Sequence, residues 1–358
     1  MTIRHGLRLL LGAVYSLLPC GAVCAQEPQA APDAVIVVGA SGSEAYGKAF
    51  AEAADQWRRS FEAAGLRYCL IGGNNEPDND AATLAADDSS ETTTDVLTAT
   101  EKPAAADDKT RLLERLGSWT EASQGRRWLV MIGHGTSNRQ GSNFNLVGPD
   151  VSDAELRDAL VDAGPAVVVC SFSSSGGWVP TLAAPERVVI AATKGPEEYN
   201  YSRFGGFFAA AVGNPDYDLD HDQEVSLLEA FLAASRETER FYADAGRIAS
   251  EHAILDDNSD GVGTTADFYE GLEAVKQAAE GKELDGQRAA SISLIAAASQ
   301  PTLDANQLAR RDTLETELRE LRGRKATMPE DQYYEELERI FRSLADVYAP
   351  QAAPAAAE

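Results

Sequence analysis

The chain has 358 residues, with 57 Asp or Glu against 31 Lys or Arg and a formal net charge of −26. That acidity excludes nucleic acid and anionic membrane surfaces as partners, because the phosphates would be repelled. It suits solubility and divalent cations, and the length allows one domain of roughly 200–250 residues plus appendages.

Arg4 and Arg8 make a basic start, Leu9 to Leu18 an apolar core, and Val23-Cys24-Ala25 a small-residue cleavage site. This is the pattern of a secretory signal peptide cut after Ala25, so a periplasmic or secreted protein is expected. No later stretch is long and apolar enough to span a bilayer. Cleavage removes Cys20 and Cys24 and leaves Cys69 and Cys170. Two cysteines make no disulfide framework, and each reads as a small buried hydrophobe.

Ala34 to Gly39 is a near-continuous apolar run, the pattern of a parallel strand buried on both faces. A helix is predicted from about Glu44 to Ala64, with Phe50, Ala54, Trp57 and Phe61 on one face. Leu66–Ile71 is the second strand, completing a βαβ opening. Residues 74–109 are acidic, rich in Ala, Thr and Ser, and read as a flexible insert. A short helix near Leu112 to Ala122 leads to a strand over 126–133 that ends at His134-Gly135. A Gly/Asn loop follows, then a helix with Ser152 as N-cap and Glu155 at the capping-box position. The next strand starts at Ala166 and stops near Ser173, and Arg187–Thr193 is a fifth. Phe204–Val212 reads as a helix packed close to the sheet.

The expected fold class is therefore α/β: a mostly parallel sheet flanked by helices over residues 34–275, with a helical C-terminal extension over 276–348 and a disordered tail over 349–358. In the extension, Leu308, Leu314, Leu318 and Leu321 mark one amphipathic helix. Pro329 fits the first turn of another, whose apolar stripe reads Tyr334, Leu337, Phe341, Leu344 and Tyr348. Such a hairpin packs on the domain or on a second copy, making a homo-oligomer through these helices an expectation.

The chemistry gathers at two strand ends. In α/β sheets, sites are built at the carboxyl ends of strands. His134 alone among the histidines follows an apolar strand and precedes a glycine. The other end reads Cys170-Ser-Phe-Ser173-Ser-Ser-Gly176-Gly177. A histidine beside a Ser or Cys is a base–nucleophile arrangement.

A strand ending in His-Gly followed by one ending in a nucleophile resembles the caspase-like fold, and in particular the legumain-like cysteine peptidases, over roughly residues 34–235. Phe172-Ser173-Ser174-Ser175-Gly176 is similar to that family's Ala-Cys-X-Ser-Gly, with Ser173 in place of the cysteine. The resemblance implies a cysteine-type endopeptidase ancestry, with His134 as base and a peptide or protein as ligand. Three readings stand open: a pseudoenzyme with lost or reduced proteolysis, a serine nucleophile at Ser173, or Cys170 as the alternative nucleophile. Positions 170 and 173 differ by an odd number and would face opposite ways in a regular strand. Glu197, Glu198, Asn200, Ser202 and Arg203 fall where the family shapes its specificity pocket, but the family's pattern is not reproduced there. A non-catalytic binding or scaffold protein working through the C-terminal helices is the competing class.

A second signal is calcium-like. Asp218, Asp220, Asp222, Glu224, Ser226 and Glu229 place oxygen atoms at EF-hand-type spacing, with Glu229 twelfth. Gln223 stands where that loop has glycine. A second copy reads Asp256, Asn258, Asp260, Thr264 and Asp267, and keeps Gly261. Structural calcium is the expected cofactor. No organic cofactor is expected, since there is no Gly-X-Ser-X-Gly elbow, Walker loop or zinc spacing, and Gly39-Ala-Ser-Gly42 is no dinucleotide fingerprint.

Overall fold

The computed structural model describes residues 31–73, 106–120, 125–138, 141–278, 283–296, 303 and 305–348. The signal-peptide reading, most of the acidic insert and the C-terminal tail lie outside these residues.

The chain order is β1 (Ala34–Val38), α1 (Glu44–Ala63), β2 (Tyr68–Gly72), α2 (Asp108–Gly117), β3 (Arg127–Gly133), β4 (Gly135–Asn138), β5 (Gly141–Phe144), β6 (Val151–Ser152), α3 (Asp153–Ala159), β7 (Ala166–Phe172), α4 (Val179–Leu182), β8 (Arg187–Ala191), α5 (Phe204–Ala211) and α6 (Leu227–Asp244). It continues through β9 (Ile254–Asp256), β10 (Thr264–Thr265), β11 (Tyr269–Glu270), β12 (Glu273–Ala274), α7 (Ala305–Arg324) and α8 (Glu330–Tyr348). The central sheet has seven strands in the order β10-β9-β8-β7-β3-β1-β2. β2, β1, β3, β7 and β8 run parallel, whereas β9 and β10 are antiparallel. The expected α/β class with a mostly parallel, helix-flanked sheet and C-terminal helices is what the chain adopts.

Alternation along the strands explains the layering. Ala34, Ile36 and Val38 of β1 face one core with Trp57, Phe61, Phe208 and Phe231, from α1, α5 and α6. Val35 and Val37 face the other, with Leu112, Leu116, Leu156 and Leu160 from the side of α2 and α3. Because successive side chains point to opposite faces, an unbroken apolar strand requires cover on both.

Three features differ from the expectation. The Gly/Asn loop after His134 is a small antiparallel sheet of β4, β5 and β6. It forms because Phe144, Leu146 and Val151 turn inward onto the core below α3. Ala289, Ile292 and Leu294, assigned by sequence to the extension, belong to the α/β core. They are tied to it by Leu227 N–H donating to Ile292 carbonyl at 2.8 Å. In α8 the buried residues are Tyr333, Ile340 and Val347, while Tyr334 and Phe341 are exposed. Two neighbouring stripes of that helix are apolar. The one repeating at 333, 337, 340, 344 and 347 follows the 3-4 spacing that matches an antiparallel partner, and α7 covers it with Leu318 and Leu321.

Trp57 is fully buried and packs against Phe61, Trp128 and Phe208 at ring-centroid distances of 5.5, 6.4 and 5.8 Å. Trp57→Ala is expected to cost about 3–5 kcal/mol in chemical denaturation, the usual penalty for emptying an aromatic site in a core.

Candidate functional site

The register of β3 and β7 brings the two strand ends together. Gly133 pairs with Phe172, so His134 and Ser173 are the next residues of adjacent parallel strands. Gly135 permits the close approach. A Cβ there would sit 2.3 Å from the Ser173 carbonyl oxygen and 2.6 Å from the Phe172 ring.

The Ser173 hydroxyl is held by the Gly135 backbone from both sides. It accepts from Gly135 N–H at 3.1 Å and donates to Gly135 carbonyl at 3.1 Å. The side chain is 2 % exposed. The chain then turns through Ser174, whose φ of 62° is left-handed for a residue with a side chain. Ser174 N–H donates to Glu198 carbonyl at 2.9 Å, and Gly176 N–H donates to Thr193 Oγ1 at 2.9 Å. The loop after β8 therefore clamps this turn.

His134 sits in an aromatic surround that sequence reasoning missed in part. Its ring meets Tyr46, Phe50 and Tyr201 edge-on, at centroid distances of 4.8, 5.2 and 6.1 Å. Tyr46 lies one turn before Phe50 on the apolar face of α1, so the helical period was a usable signal; Tyr201, in an irregular loop, left none. Burial holds the imidazole below its ordinary pKa, and a hydrogen bond to the Ser41 main chain offsets part of that. That bond also supplies the orienting partner that no residue pattern identifies. No hydrogen bond joins the His134 ring to Ser173, because the hydroxyl is taken up by Gly135. The two residues are adjacent without forming a nucleophile–base pair.

Cys170 lies elsewhere. It is fully buried in the core layer with Leu129, Met131 and Phe172, and burial pushes its thiol pKa up. Burial in apolar packing disfavours the thiolate that a nucleophilic cysteine needs.

In the loop after β8, Glu198 is buried and takes His252 Nδ1 at 2.6 Å and the Lys194 N–H at 2.9 Å. Ser202 and Arg203 bind Glu251, Ser202 Oγ at 2.5 Å and Arg203 N–H at 2.8 Å. Behind them is a cleft of about 450 Å³ lined in part by Lys194, Phe204, Glu251 and His252. Neither His134 nor Ser173 lines it. Glu251 and His252 were missed because nothing near them in sequence marks them.

The two acidic loops keep only part of their expected ligand sets. Asp218, Asp220 and Asp222 converge, with one oxygen from each within 4.8 Å of the others. Burial raises the Asp220 and Asp222 carboxyls, and neighbouring carboxylates add to it. Glu229 reaches back to the Leu219 N–H at 2.7 Å, and with Ser226 it forms the capping box of α6. The Glu224 side chain turns away to Arg311 on α7, at 3.6 Å. In the second loop Asp256, Asn258 and Asp260 share one turn, but Thr264 Oγ1 donates to Asp285 at 2.7 Å and Asp267 pairs with Lys276 and Thr265. Ser226, Glu224, Thr264 and Asp267 are thus drawn off by caps and ion pairs, which compete for the same oxygen atoms.

Ser173→Ala is expected to lower stability by about 1–3 kcal/mol in urea denaturation, because it strands the buried N–H and C=O of Gly135. His134 titrated by NMR is expected to show a midpoint below 6.5. Since its folded pKa is depressed, the unfolded chain takes the proton first, and His134's contribution to stability is lost as pH falls below about 6.5. Compared with known proteins, the chain matches no family model and no curated protein.

Proposed function

We propose that this is an exported protein of legumain-like, caspase-like build whose peptidase activity is lost or strongly reduced, and whose His134–Ser173 edge engages a peptide or protein without cutting it. The parallel order β1-β3-β7-β8, which aligns a His-Gly end with a Ser-Gly turn, supports the ancestry. The observation that carries the loss of activity is the double hydrogen bond between Ser173 Oγ and the Gly135 peptide.

The chemistry follows from where the protons are. A serine attacks only when a base takes its proton, whereas a cysteine is partly ionised unaided. Here the Ser173 proton points to a carbonyl, and the imidazole is bonded to Ser41. Rotating the hydroxyl toward His134 breaks both Gly135 bonds in a buried setting, at a cost of about 1–3 kcal/mol for each stranded group. A cost of that size comes before any barrier of bond formation. Cys170 is no substitute, because its thiol is buried and protonated.

A broad peptide-library digest comparing wild type with His134→Ala, Ser173→Ala and Cys170→Ala tests this. The expected result is four indistinguishable patterns. Cleavage by the wild type that disappears in His134→Ala together with either nucleophile variant identifies an active peptidase and sinks the proposal.

A further inference from the structure

We propose that the loop Asp256–Asp260 binds a calcium ion, at the end of the sheet opposite His134 and independently of what that edge does.

The placement comes first. Asp256 ends β9, which runs antiparallel to β8, and pairs with Val189, so the chain leaves β9 toward the beginning of β8. Ser259 Oγ donates to the Ala184 carbonyl at 2.7 Å, just ahead of β8. The loop therefore lies at the amino ends of the parallel strands, while His134 and Ser173 lie at the carboxyl ends.

The argument rests on unsatisfied oxygen atoms. Three carboxylates are buried together here: Asp256, Asp257 and Asp285. Asp257 has both oxygens satisfied, by Gly286 N–H at 2.9 Å and Ala289 N–H at 2.8 Å. So does Asp285, through Asp257 N–H at 3.0 Å and Thr264 Oγ1 at 2.7 Å. Asp256 differs. Its Oδ1 accepts from Ser259 N–H at 2.9 Å, and the Gly261 main chain and the Asp260 carboxylate act on the same group, which places it inside the loop. Its Oδ2 has no hydrogen-bond partner, although the residue is 0 % exposed. A buried carboxylate oxygen without a donor is costly unless something positive reaches it.

The same defect recurs at one other place. Among the described residues, the buried unpartnered carboxylate oxygens are Asp256 Oδ2 and Asp218 Oδ1. These are the first positions of the two acidic loops. At the third and fifth positions the loops also agree. Asn258 and Asp260 each accept the N–H two residues on, at 2.8 and 2.7 Å, and Asp220 and Asp222 do likewise at 3.3 and 2.8 Å. The fourth and sixth residues are left-handed in both: Ser259 and Gly261 at φ 71° and 72°, His221 and Gln223 at 61° and 74°. A side chain rarely takes that conformation, so Gln223 adopts under strain what Gly261 adopts freely.

The chemistry selects the cation. Asp256, Asn258 and Asp260 offer only hard oxygen atoms, which suit calcium or magnesium rather than soft metals. Five residues of irregular backbone with a sharp turn at the sixth position match the many-coordinate, adaptable shell of calcium better than the strict octahedron of magnesium.

The test uses the full chain titrated with calcium chloride by calorimetry, with melting curves in calcium and in chelator. Wild type should bind calcium and melt higher in its presence. Asp256→Asn, which removes the buried charge without changing shape, should melt as high as or higher than wild type in chelator and lose the calcium-dependent rise. Asp260→Asn should weaken this site by at least about tenfold, the loss seen even when outer partners of a metal are removed. Asp222→Asn, in the other loop, should leave it intact. A wild type that binds no calcium overturns the proposal, as does binding lost in Asp222→Asn but kept in Asp256→Asn. Magnesium chloride reproducing the full rise overturns the choice of ion.

Discussion

Everything in this molecule hangs on the five parallel strands being apolar on both faces. A strand such as Ala34–Val38, buried along its whole length, forces a helical layer onto each side of the sheet. Once both layers are in place, every right-handed return brings the next strand end to the same edge. That edge then collects the Gly39–Gly42 turn, the His134–Gly135 end and the Ser173–Gly177 turn. The site is a by-product of layering before it is anything chemical.

At that edge, packing and chemistry pull on the same atoms. Gly135 lets β3 and β7 approach until the Ser173 hydroxyl closes on the peptide after His134. The contact stitches two strand ends together and uses both hydrogen-bonding capacities of the hydroxyl. The side chains of Tyr46, Phe50 and Tyr201 add a second constraint by packing edge-on around the imidazole.

The opposite edge shows the reverse condition. There the first carboxylate of each acidic loop keeps an oxygen without a donor. Folded proteins pair nearly all such atoms, so two exceptions at equivalent positions of two similar loops point to a shared cause. Side-chain contacts bind the first loop into the rest of the fold. Glu224, within the first loop, is held by Arg311 of α7, and Glu229 caps the long helix α6.

By itself the sequence determined the period of each element, and with it the α/β class, the strands ending at His134 and Ser173, and the capping of α3 by Ser152 and Glu155. These are local properties: apolar runs, helical spacing and cap residues act over a few positions. It also determined that the second strand end carries serines at positions 173 to 175. Tertiary structure alone decided what each oxygen atom does. Whether Ser173 faces His134 or the Gly135 peptide depends on the register of two strands far apart in the chain. Whether Thr264 and Glu224 are free to ligate depends on Asp285 and Arg311, residues that no local pattern connects to them. The choice between two apolar stripes on α8 was likewise made by α7, since a helix with two apolar faces offers no internal reason to bury one of them.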